Sequence, residues 1–341
     1  MSQGRPMPLT RKTISDLPAE SLLAIFFLLR DCWPPALPSS DSEQGTELGL
    51  DSEENEELSE EEDLMPGSNS LRGGKGSQPE RKEDQRDLGW IVVTHVCRRW
   101  RQTGINAASL WTDLSFALIG LGDRWTRTML DRAQDLGIRI VRGEPTYNDN
   151  PRVMDYEAEF IVSHLDEIVE LRLLDINFVE LEHLLEDEPI PAPRLRALEL
   201  TVGSDATWED GPPILNCPMP SLRSLALHFC GIPWTLDIFS GLVYLELGFE
   251  FEGVEDHSLY PAYPQLLGAL KKSSATLQTL KLDMLGDGSS GRSSDEGDRL
   301  AVSLPHLTLL ELRGEPRFIV HVFRHLGIPD QAQFNLCPRY W

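Results

Sequence analysis

Several signals that would direct a chain to a membrane or to the secretory route are missing from this sequence. Residues 1–12 are polar and contain proline, so they lack the apolar core of a secretory signal peptide. The longest apolar run, Leu22–Leu29, is far shorter than the roughly 18 residues that a membrane-spanning helix requires. We therefore expect a protein of the cytoplasm, the nucleus or both, with no membrane partner.

Cysteine is scarce and scattered along the chain. The five cysteines form no CxxC pair, and their odd number does not suit a closed disulfide framework or a zinc site. Free thiols are typical of proteins in reducing compartments, which agrees with the cytoplasm or the nucleus.

Basic residues are too few for a protein that binds nucleic acid. The chain has 31 lysine and arginine residues against 55 aspartate and glutamate residues, and its formal net charge is −24. Residues 41–63 contain many acidic residues and no basic one, and the rest of the chain is acidic as well. An acidic surface repels phosphate groups, so we expect no nucleic-acid partner.

Motifs of catalysis are missing as well. The sequence contains neither the GxSxG pattern of serine hydrolases nor the GxxxxGK[ST] phosphate-binding loop. His321 and His325 have the spacing of metal ligands on one helix face, but no glutamate completes the HExxH pattern. We interpret the two histidines as a partly exposed surface pair, and we expect no enzymatic activity, no cofactor and no metal site.

The first structured segment is an apolar helix near the N-terminus. Ser15 or Asp16 is suited to cap this helix and Pro18 to occupy its first turn, and the segment Trp33–Pro35 ends it. Because apolar residues cover most of its circumference, we predict that the helix packs on two sides.

Residues 36–87 interrupt the apolar pattern. They combine a run of acidic residues, a stretch rich in glycine and serine, and the mixed-charge segment PERKEDQRD. Low hydrophobicity and high charge predict that this insertion is disordered. Two interpretations stay open: a regulatory segment with Ser40, Ser42, Ser52 and Ser59 in acidic contexts, or a solvated insertion that a loop tolerates at small entropic cost.

Apolar surface returns in the segment Leu88–Leu114. We predict one helix from Leu88 to Thr103 and a short helix from Ala107 to Asp113. Trp100 and Trp111 offer more apolar surface than one short helix can bury, and such helices are marginal alone. The segments before and after the insertion should therefore pack together as one helical unit.

Four short motifs stand in these two segments: LPAE at 17–20, IF at 25–26, VCRRWR at 96–101 and LW at 110–111. With these motifs the two segments resemble the F-box, in the version of the F-box-like proteins of mushroom-forming fungi. The resemblance covers 14–34 and 88–116, and the long insertion departs from the family pattern. It implies a three-helix module that binds a Skp-type adaptor and, through it, cullin and RING subunits. The positions that match the adaptor-facing pattern are Leu17, Pro18, Glu20, Ile25, Val96, Cys97, Trp100, Leu110 and Trp111.

An excess of apolar and aromatic side chains on a small module favours a contact with another protein. A second interpretation is that Trp100 and Trp111 only fill the module's own core.

Residues 117–165 connect this module to the rest of the chain. We predict a helix that ends near Gly137, a strand at Ile138–Val141, a looser stretch at 144–152 and a helix at 153–165.

The pattern LxxLxL then occurs six times, beginning at residues 168, 195, 222, 242, 277 and 307. Alternate side chains of a strand point to one face, so each occurrence predicts a strand with buried leucines. The spacing resembles degenerate leucine-rich repeats, which implies an irregular solenoid with a parallel sheet on its concave face. We also predict helices at 177–185, 263–273 and 318–326, a flexible loop at 286–299 and a C-terminal tail that caps the last repeat.

The expected fold class is mixed α and β, either α+β or α/β, with a small helical F-box ahead of the repeats. The segments are a flexible N-terminus (1–12), the F-box halves (13–35 and 88–116) around the disordered acidic insertion (36–87), a connection (117–165), the solenoid (166–326) and a cap or tail (327–341).

Outward side chains of the predicted sheet form the surface on which we expect an unknown target protein to bind. The residues chosen for this role are Arg196, Ser224, His228, Tyr244 and Lys281. The leading hypothesis is a substrate-recognition subunit of an SCF-type E3 ubiquitin ligase, which acts by holding its target close to the ligase. The alternative is a leucine-rich-repeat interaction scaffold that is not assembled into a ligase.

Overall fold

A parallel sheet of eight strands dominates the mixed α/β structure. The computed structural model describes residues 17–35, 88–115, 123–142, 158–176, 190–202, 213–230, 233–249, 261, 263–284 and 301–338. The predicted disordered insertion (36–87), the stretch 144–152, the helix 177–185 and the loop 286–299 lie outside these residues.

Helix α1 (Ala19–Cys32) is the first element of the N-terminal helical module. Its N-cap is Pro18, without a side-chain cap, so the predicted capping role of Ser15 or Asp16 is wrong. The helix ends at Cys32, as the prolines behind Trp33 predict, and the N–H of Trp33 donates to the Leu29 carbonyl at 2.7 Å.

The segment predicted as one helix from Leu88 to Thr103 is divided into two elements. Residues Gly89–His95 form a 3₁₀ helix, and α2 (Arg98–Asn106) begins after Cys97, whose backbone is extended. The predicted third helix is a single 3₁₀ turn, Ala108–Leu110.

The two parts of the helical module pack against each other, as expected from their apolar surfaces. The rings of Phe26 and Trp100 lie 5.4 Å apart, and the N–H of Trp90 donates to the Trp33 carbonyl at 2.8 Å. The Arg99 guanidinium also donates to the Leu17 carbonyl. Residues on both sides of the insertion therefore share one core.

The helical module runs directly into the sheet. The N–H of Arg139 donates to the Thr112 carbonyl at 2.8 Å, and that of Leu114 to the Arg139 carbonyl at 2.9 Å. Between these contacts come α3 (Asp123–Ala133), a 3₁₀ turn (Gln134–Leu136) and Gly137, whose φ is 81°. The prediction of a helix ending near Gly137 and a strand behind it is confirmed.

The eight strands follow one another across the sheet in the order of the chain, and two short strands form a separate pair outside it. Their bounds are β1 (Ile138–Arg142), β2 (Ile168–Ile176), β3 (Ala197–Val202), β4 (Ser224–His228), β5 (Tyr244–Gly248), β6 (Thr279–Met284), β8 (Leu309–Gly314) and β10 (Gln333–Pro338). All pairs are parallel.

One face of the sheet, which we name the leucine face, carries the leucines of the repeated pattern in two continuous rows. The first row runs from Leu171 to Leu310 and the second from Leu173 to Leu312, and every leucine in them is at most 1% exposed. We name the opposite side the polar face. The six predicted strands with buried leucines are confirmed.

Short connections cover the leucine face. They include 3₁₀ turns at Pro213–Asn216 and Asp237–Phe239, and helix α4 (Tyr263–Ser273), which the sequence predicts. Helix α5 (Pro316–His325) confirms the predicted terminal helix and is followed by β9 (Leu326–Gly327), which pairs with β7 (Val302–Ser303). The sequence pattern did not predict β10, which extends the same sheet by one strand.

Candidate functional site

The polar face of the sheet brings charged side chains of neighbouring strands together. At its first strands, Glu170 pairs with Arg139 at 3.0 Å and with Arg172 at 2.7 Å, and Arg172 also pairs with Glu199 at 3.3 Å. Such a chain of alternating charges follows from the parallel register, which places equivalent residues of neighbouring strands side by side.

A second cluster on the polar face joins Tyr244, Glu246 and Lys281. The Tyr244 hydroxyl donates to Glu246 Oε2, and Lys281 Nζ donates to the same oxygen at 3.2 Å. The Lys281 ammonium also lies 5.3 Å from the centre of the Tyr244 ring, within the range of a cation–π contact.

These contacts shift the protonation of all three groups. Burial and the hydrogen bond to Glu246 raise the pKa of Tyr244, and its hydrogen bonds raise the pKa of Lys281. Burial acts to raise the pKa of Glu246, but hydrogen bonds from Tyr244 and Lys281 outweigh it, so the pKa lies below its usual value. Glu246 is therefore a stable anion between two donors.

A cleft of about 280 Å³ opens beside this cluster, at the carboxyl ends of β4, β5, β6 and β8. Gly248 leaves room for the ring of His228 on the neighbouring strand, because a Cβ at position 248 would lie only 2.4 Å from His228 Nδ1. Charged and aromatic side chains complete the lining, and these are His228, Phe229, Glu246, Lys281, Asp283, Glu311 and Arg313.

The far wall of the cleft is formed by Asp283 and the pair of Glu311 with Arg313. Arg313 Nη2 lies 2.5 Å from Glu311 Oε1, and this hydrogen bond raises the pKa of Arg313. Burial raises the pKa of Asp283, and the attraction of Arg313 offsets this only in part. The wall thus holds one closely paired carboxylate and one whose ionisation is opposed by its surroundings.

Phe229 has an unusual backbone conformation at the edge of the cleft. Its φ is 59°, in the left-handed region that bulky residues rarely adopt. Its N–H donates to the Gly248 carbonyl at 2.8 Å, which holds it directly behind β4. Strained residues of this kind are concentrated at binding sites.

The structure divides the five sheet residues that the sequence singles out. His228 and Lys281 line the cleft, and Tyr244 adjoins it through Glu246. Ser224 lies beside Tyr244 in the strand register, one row away from the cleft. Arg196 precedes β3, is exposed, and connects strands through its backbone, since its carbonyl accepts the N–H groups of residues 223 and 224 at 2.9 Å.

Sequence reasoning did not select Asp283, Arg313 or Phe229 as site residues. All three follow directly behind the last leucine of a repeated pattern, or one residue later. A signal for them existed, because the period of two places the first residue after that leucine on the polar face.

The residues that match the adaptor-facing pattern fall into two groups in the helical module. Leu110 and Trp111 are fully buried and Trp100 is 8% exposed, so these side chains form the module's own core. Leu17 and Ile25 are half-buried, and the remaining four are exposed: Pro18, Glu20, Val96 and Cys97.

The core of the helical module is built around two tryptophans that pack against each other. The rings of Trp90 and Trp111 lie 5.0 Å apart, and Trp111 Nε1 donates to the Gly104 carbonyl at 2.8 Å. The Arg132 guanidinium of α3 lies 4.2 Å from the centre of the Trp111 ring, and burial lowers the pKa of Arg132. Trp111 therefore joins the helical module to α3, the helix that precedes the sheet.

Four large apolar side chains remain exposed on the helical module. Val96 is 59% exposed and Leu28 is 65% exposed, and Trp33 and Val92 are exposed by more than two fifths. We name these four residues the module's apolar surface. A small module that exposes several large apolar side chains offers surface that another protein can cover.

Histidines and other metal-binding groups do not form a second site in the described part of the chain. His325 is buried, its Nδ1 lies 2.7 Å from the His321 carbonyl, and the His321 ring packs 4.0 Å from the Tyr263 ring. The prediction of a partly exposed surface pair is therefore wrong for His325. Within the described residues, no group of three or more His, Cys, Asp or Glu side chains could hold a metal ion.

The spacing of Gly286, Gly288 and Gly291 fits the short GxGxxG pattern, a weak signal by itself, and this segment lies outside the described residues. None of the helices described is long and apolar enough to cross a membrane.

Comparison with protein-family models, with curated proteins and with solved structures finds no match for this chain.

Proposed function

We propose that the protein is an F-box-like substrate-recognition subunit of an SCF-type ubiquitin ligase. In this proposal, the helical module binds a Skp-type adaptor, and the polar face of a leucine-rich-repeat solenoid binds a target protein. The observation that carries it is the module's apolar surface: Leu28, Trp33, Val92 and Val96 are exposed although the core beneath them is filled.

The F-box motifs and this surface overlap at the start of α2. Val96 and Cys97, which belong to the VCRRWR motif, are both exposed, whereas Trp100 of the same motif is buried against Phe26. We infer that Trp100, Leu110 and Trp111 hold the module in shape, while Val96 and its exposed neighbours contact the adaptor. The cullin and RING subunits would be reached through that adaptor.

The target would bind the polar face by many weak polar contacts around the cleft. Tyr244, Glu246 and Lys281 are held in place by their mutual hydrogen bonds, so little side-chain entropy would be lost on binding. In this mechanism the protein makes no covalent bond itself, and raises the effective concentration of target lysines near a ubiquitin carrier.

One observation favours the alternative of an interaction scaffold without a ligase. Three residues of the matching motifs, Trp100, Leu110 and Trp111, are explained by the module's own packing alone. A scaffold with the same fold would then use only the polar face of the sheet.

Co-purification of the full chain with a Skp-type adaptor distinguishes the two functions. We expect a stable complex, and we expect Val96→Asp to weaken it by about tenfold or more, because a charge would be buried in an apolar contact. The matched control is Val320→Asp, since Val320 of α5 is 48% exposed and lies outside the helical module. If the folded wild-type chain elutes without the adaptor, the ligase proposal fails and the scaffold remains.

A further inference from the structure

The two edges of the sheet differ in how their backbone groups are covered by other parts of the chain. At the first edge, residues 112–115 cover β1: besides the two backbone bonds of Arg139, the N–H of Val141 donates to Ser115 Oγ at 2.8 Å. At the last edge, β10 pairs with β8 on one side, and no strand among the described residues pairs with its other side.

The leucine face ends at β10 without the cover that it has elsewhere. Phe334 continues the first leucine row beside Leu310, and Leu336 continues the second row beside Leu312. Each preceding leucine in these rows is at most 1% exposed, whereas Phe334 is 45% and Leu336 is 44% exposed. The last strand therefore presents core-type side chains and an open strand edge together.

Helix α5 adds two apolar side chains to this end of the molecule. Val320 and Phe323 are both exposed, and the Phe323 ring meets the Phe334 ring edge-on at 5.6 Å. We name Val320, Phe323, Phe334 and Leu336 the C-terminal apolar patch.

Unlike β6 and β8, strand β10 places no charged side chain on the polar face. The rows that carry Lys281 and Glu311, and Asp283 and Arg313, end at β10 in Asn335 and Cys337. Natural edge strands are usually protected from pairing by lysine, other charges or proline. In β10 only the final residue, Pro338, is of this kind.

An open strand edge can be satisfied in full only by another strand, because only a strand repeats its donors and acceptors at the same interval. Two observations favour a second copy of this chain as the source. The edge segment QFNLC carries no charge, although the chain as a whole carries −24 and its copies would repel each other elsewhere. The segment is also self-complementary, with one apolar residue on each side of Asn335.

We propose that β10 pairs in antiparallel fashion with β10 of a second copy, around a two-fold axis at Asn335. This register places Phe334 opposite Leu336 of the partner subunit, and the reverse, on the leucine face. It joins the two sheets into one and buries the C-terminal apolar patch, and it leaves the helical module and the cleft of each copy free.

Sedimentation velocity of the full chain at increasing concentration tests the dimer. We expect the wild-type protein to shift from monomer to dimer, and Leu336→Lys to remain monomeric at concentrations where the wild type is dimeric. The matched control is Leu28→Lys, at an apolar residue that is 65% exposed on the helical module, and it should dimerise like the wild type. A wild-type monomer at all concentrations, open-ended oligomers, or equal behaviour of both variants would overturn the proposal.

Disulfide cross-linking tests the register. Cys32, Cys97 and Cys337 are the described cysteines that are not buried, so all three are first replaced by serine. In that background, Asn335→Cys should give a covalent dimer on oxidation, because the two-fold axis brings this position against its own copy. Gln333→Cys, on the same strand and face, would face residue 337 of the partner subunit and should remain monomeric. Equal cross-linking of the two variants contradicts the register.

Discussion

Two carboxyl groups on neighbouring strands, Glu246 of β5 and Asp283 of β6, respond to the polar face in opposite ways. Both are partly buried, and burial opposes the ionisation of each. Glu246 accepts hydrogen bonds from Tyr244 and Lys281 that reverse this effect, whereas the attraction of Arg313 does not reverse it for Asp283. The hydrogen bonds from Tyr244 and Lys281 thus hold the pKa of Glu246 below its usual value although the carboxylate is partly buried.

The pH dependence of stability should separate these two residues. The lowered pKa of Glu246 means that its contribution to the free energy of unfolding is present above its unfolded pKa and lost as pH falls through its folded pKa. Glu246→Gln should therefore be less stable than the wild type at neutral pH, with a difference that shrinks in acid. Urea unfolding at neutral and acidic pH measures this.

Asp283→Asn is the matched variant with the opposite sign. Because its folded pKa is raised, ionised Asp283 reduces stability at neutral pH, and this penalty disappears as pH falls through the folded pKa. The variant should be at least as stable as the wild type at neutral pH, and this advantage should vanish in acid. Equal signs for the two variants would mean that the direct donors of Glu246 do not decide its protonation.

At the scale of elements, we expect the helical module to depend on the contact between the residues that follow α1 and the start of the 3₁₀ helix. Gly89 begins that 3₁₀ helix with a φ of 50°, and a Cβ there would lie 2.6 Å from the Pro34 backbone. Both the left-handed conformation and the close approach require glycine at this position.

Gly89→Ala is therefore expected to reduce the free energy of unfolding by about 1–3 kcal/mol, and to weaken the proposed binding of the adaptor. Gly268→Ala is the control of the same chemical change, because Gly268 lies within α4 and, apart from its neighbours in the chain and the backbone of its own helix, no atom lies within 4 Å of the place of a Cβ. That control should stabilise the chain by roughly 0.5–1 kcal/mol. Thermal or urea unfolding of both variants measures the contrast, and equal effects would contradict the role of Gly89.

The segment predicted as one helix from Leu88 to Thr103 shows a limit of sequence patterns, because in the structure it is divided into a 3₁₀ helix and α2. Residues 90, 91, 93 and 94 are buried, and a 3₁₀ helix with three residues per turn places 90 with 93 and 91 with 94. The same residues also fit an α-helical period, so apolar spacing alone could not choose. Two hydrogen bonds of Thr94 accompany the division: its hydroxyl donates to the Ile91 carbonyl at 2.8 Å, and its carbonyl accepts Arg101 Nε of α2 at 3.0 Å.

At the scale of the whole molecule, the repeated leucines allowed most of the sheet to be predicted. Each LxxLxL pattern specifies both a strand and its buried face, so Leu198 and Leu225, for example, lie side by side as expected. Strand β10 was not predicted because QFNLCP has no such pattern, and only its pairing with β8 makes it part of the sheet. The cleft was not predicted either, because Gly248, Asp283 and Arg313 come together only when three strands pair.

The ends of the insertion can be located from the residues that flank it. The Trp33 carbonyl accepts the Trp90 N–H at 2.8 Å, and Gly89 packs against Pro34, so the chain returns to the place that it left. A segment whose ends meet in this way can vary in length without straining the helical module, and its length acts mainly on loop entropy.

We therefore expect that replacing residues 39–86 with a short glycine–serine linker leaves the proposed binding of the adaptor intact. The free energy of unfolding should rise by roughly 2 kcal/mol, because a shorter loop loses less entropy on closure. A glycine–serine segment of the original length is the control, since it keeps the loop length and removes the acidic sequence. Co-purification with the adaptor and urea unfolding measure the two effects. Loss of binding in both variants would assign a structural or binding role to the acidic sequence itself, whereas loss in the short variant alone would assign it to the length of the segment.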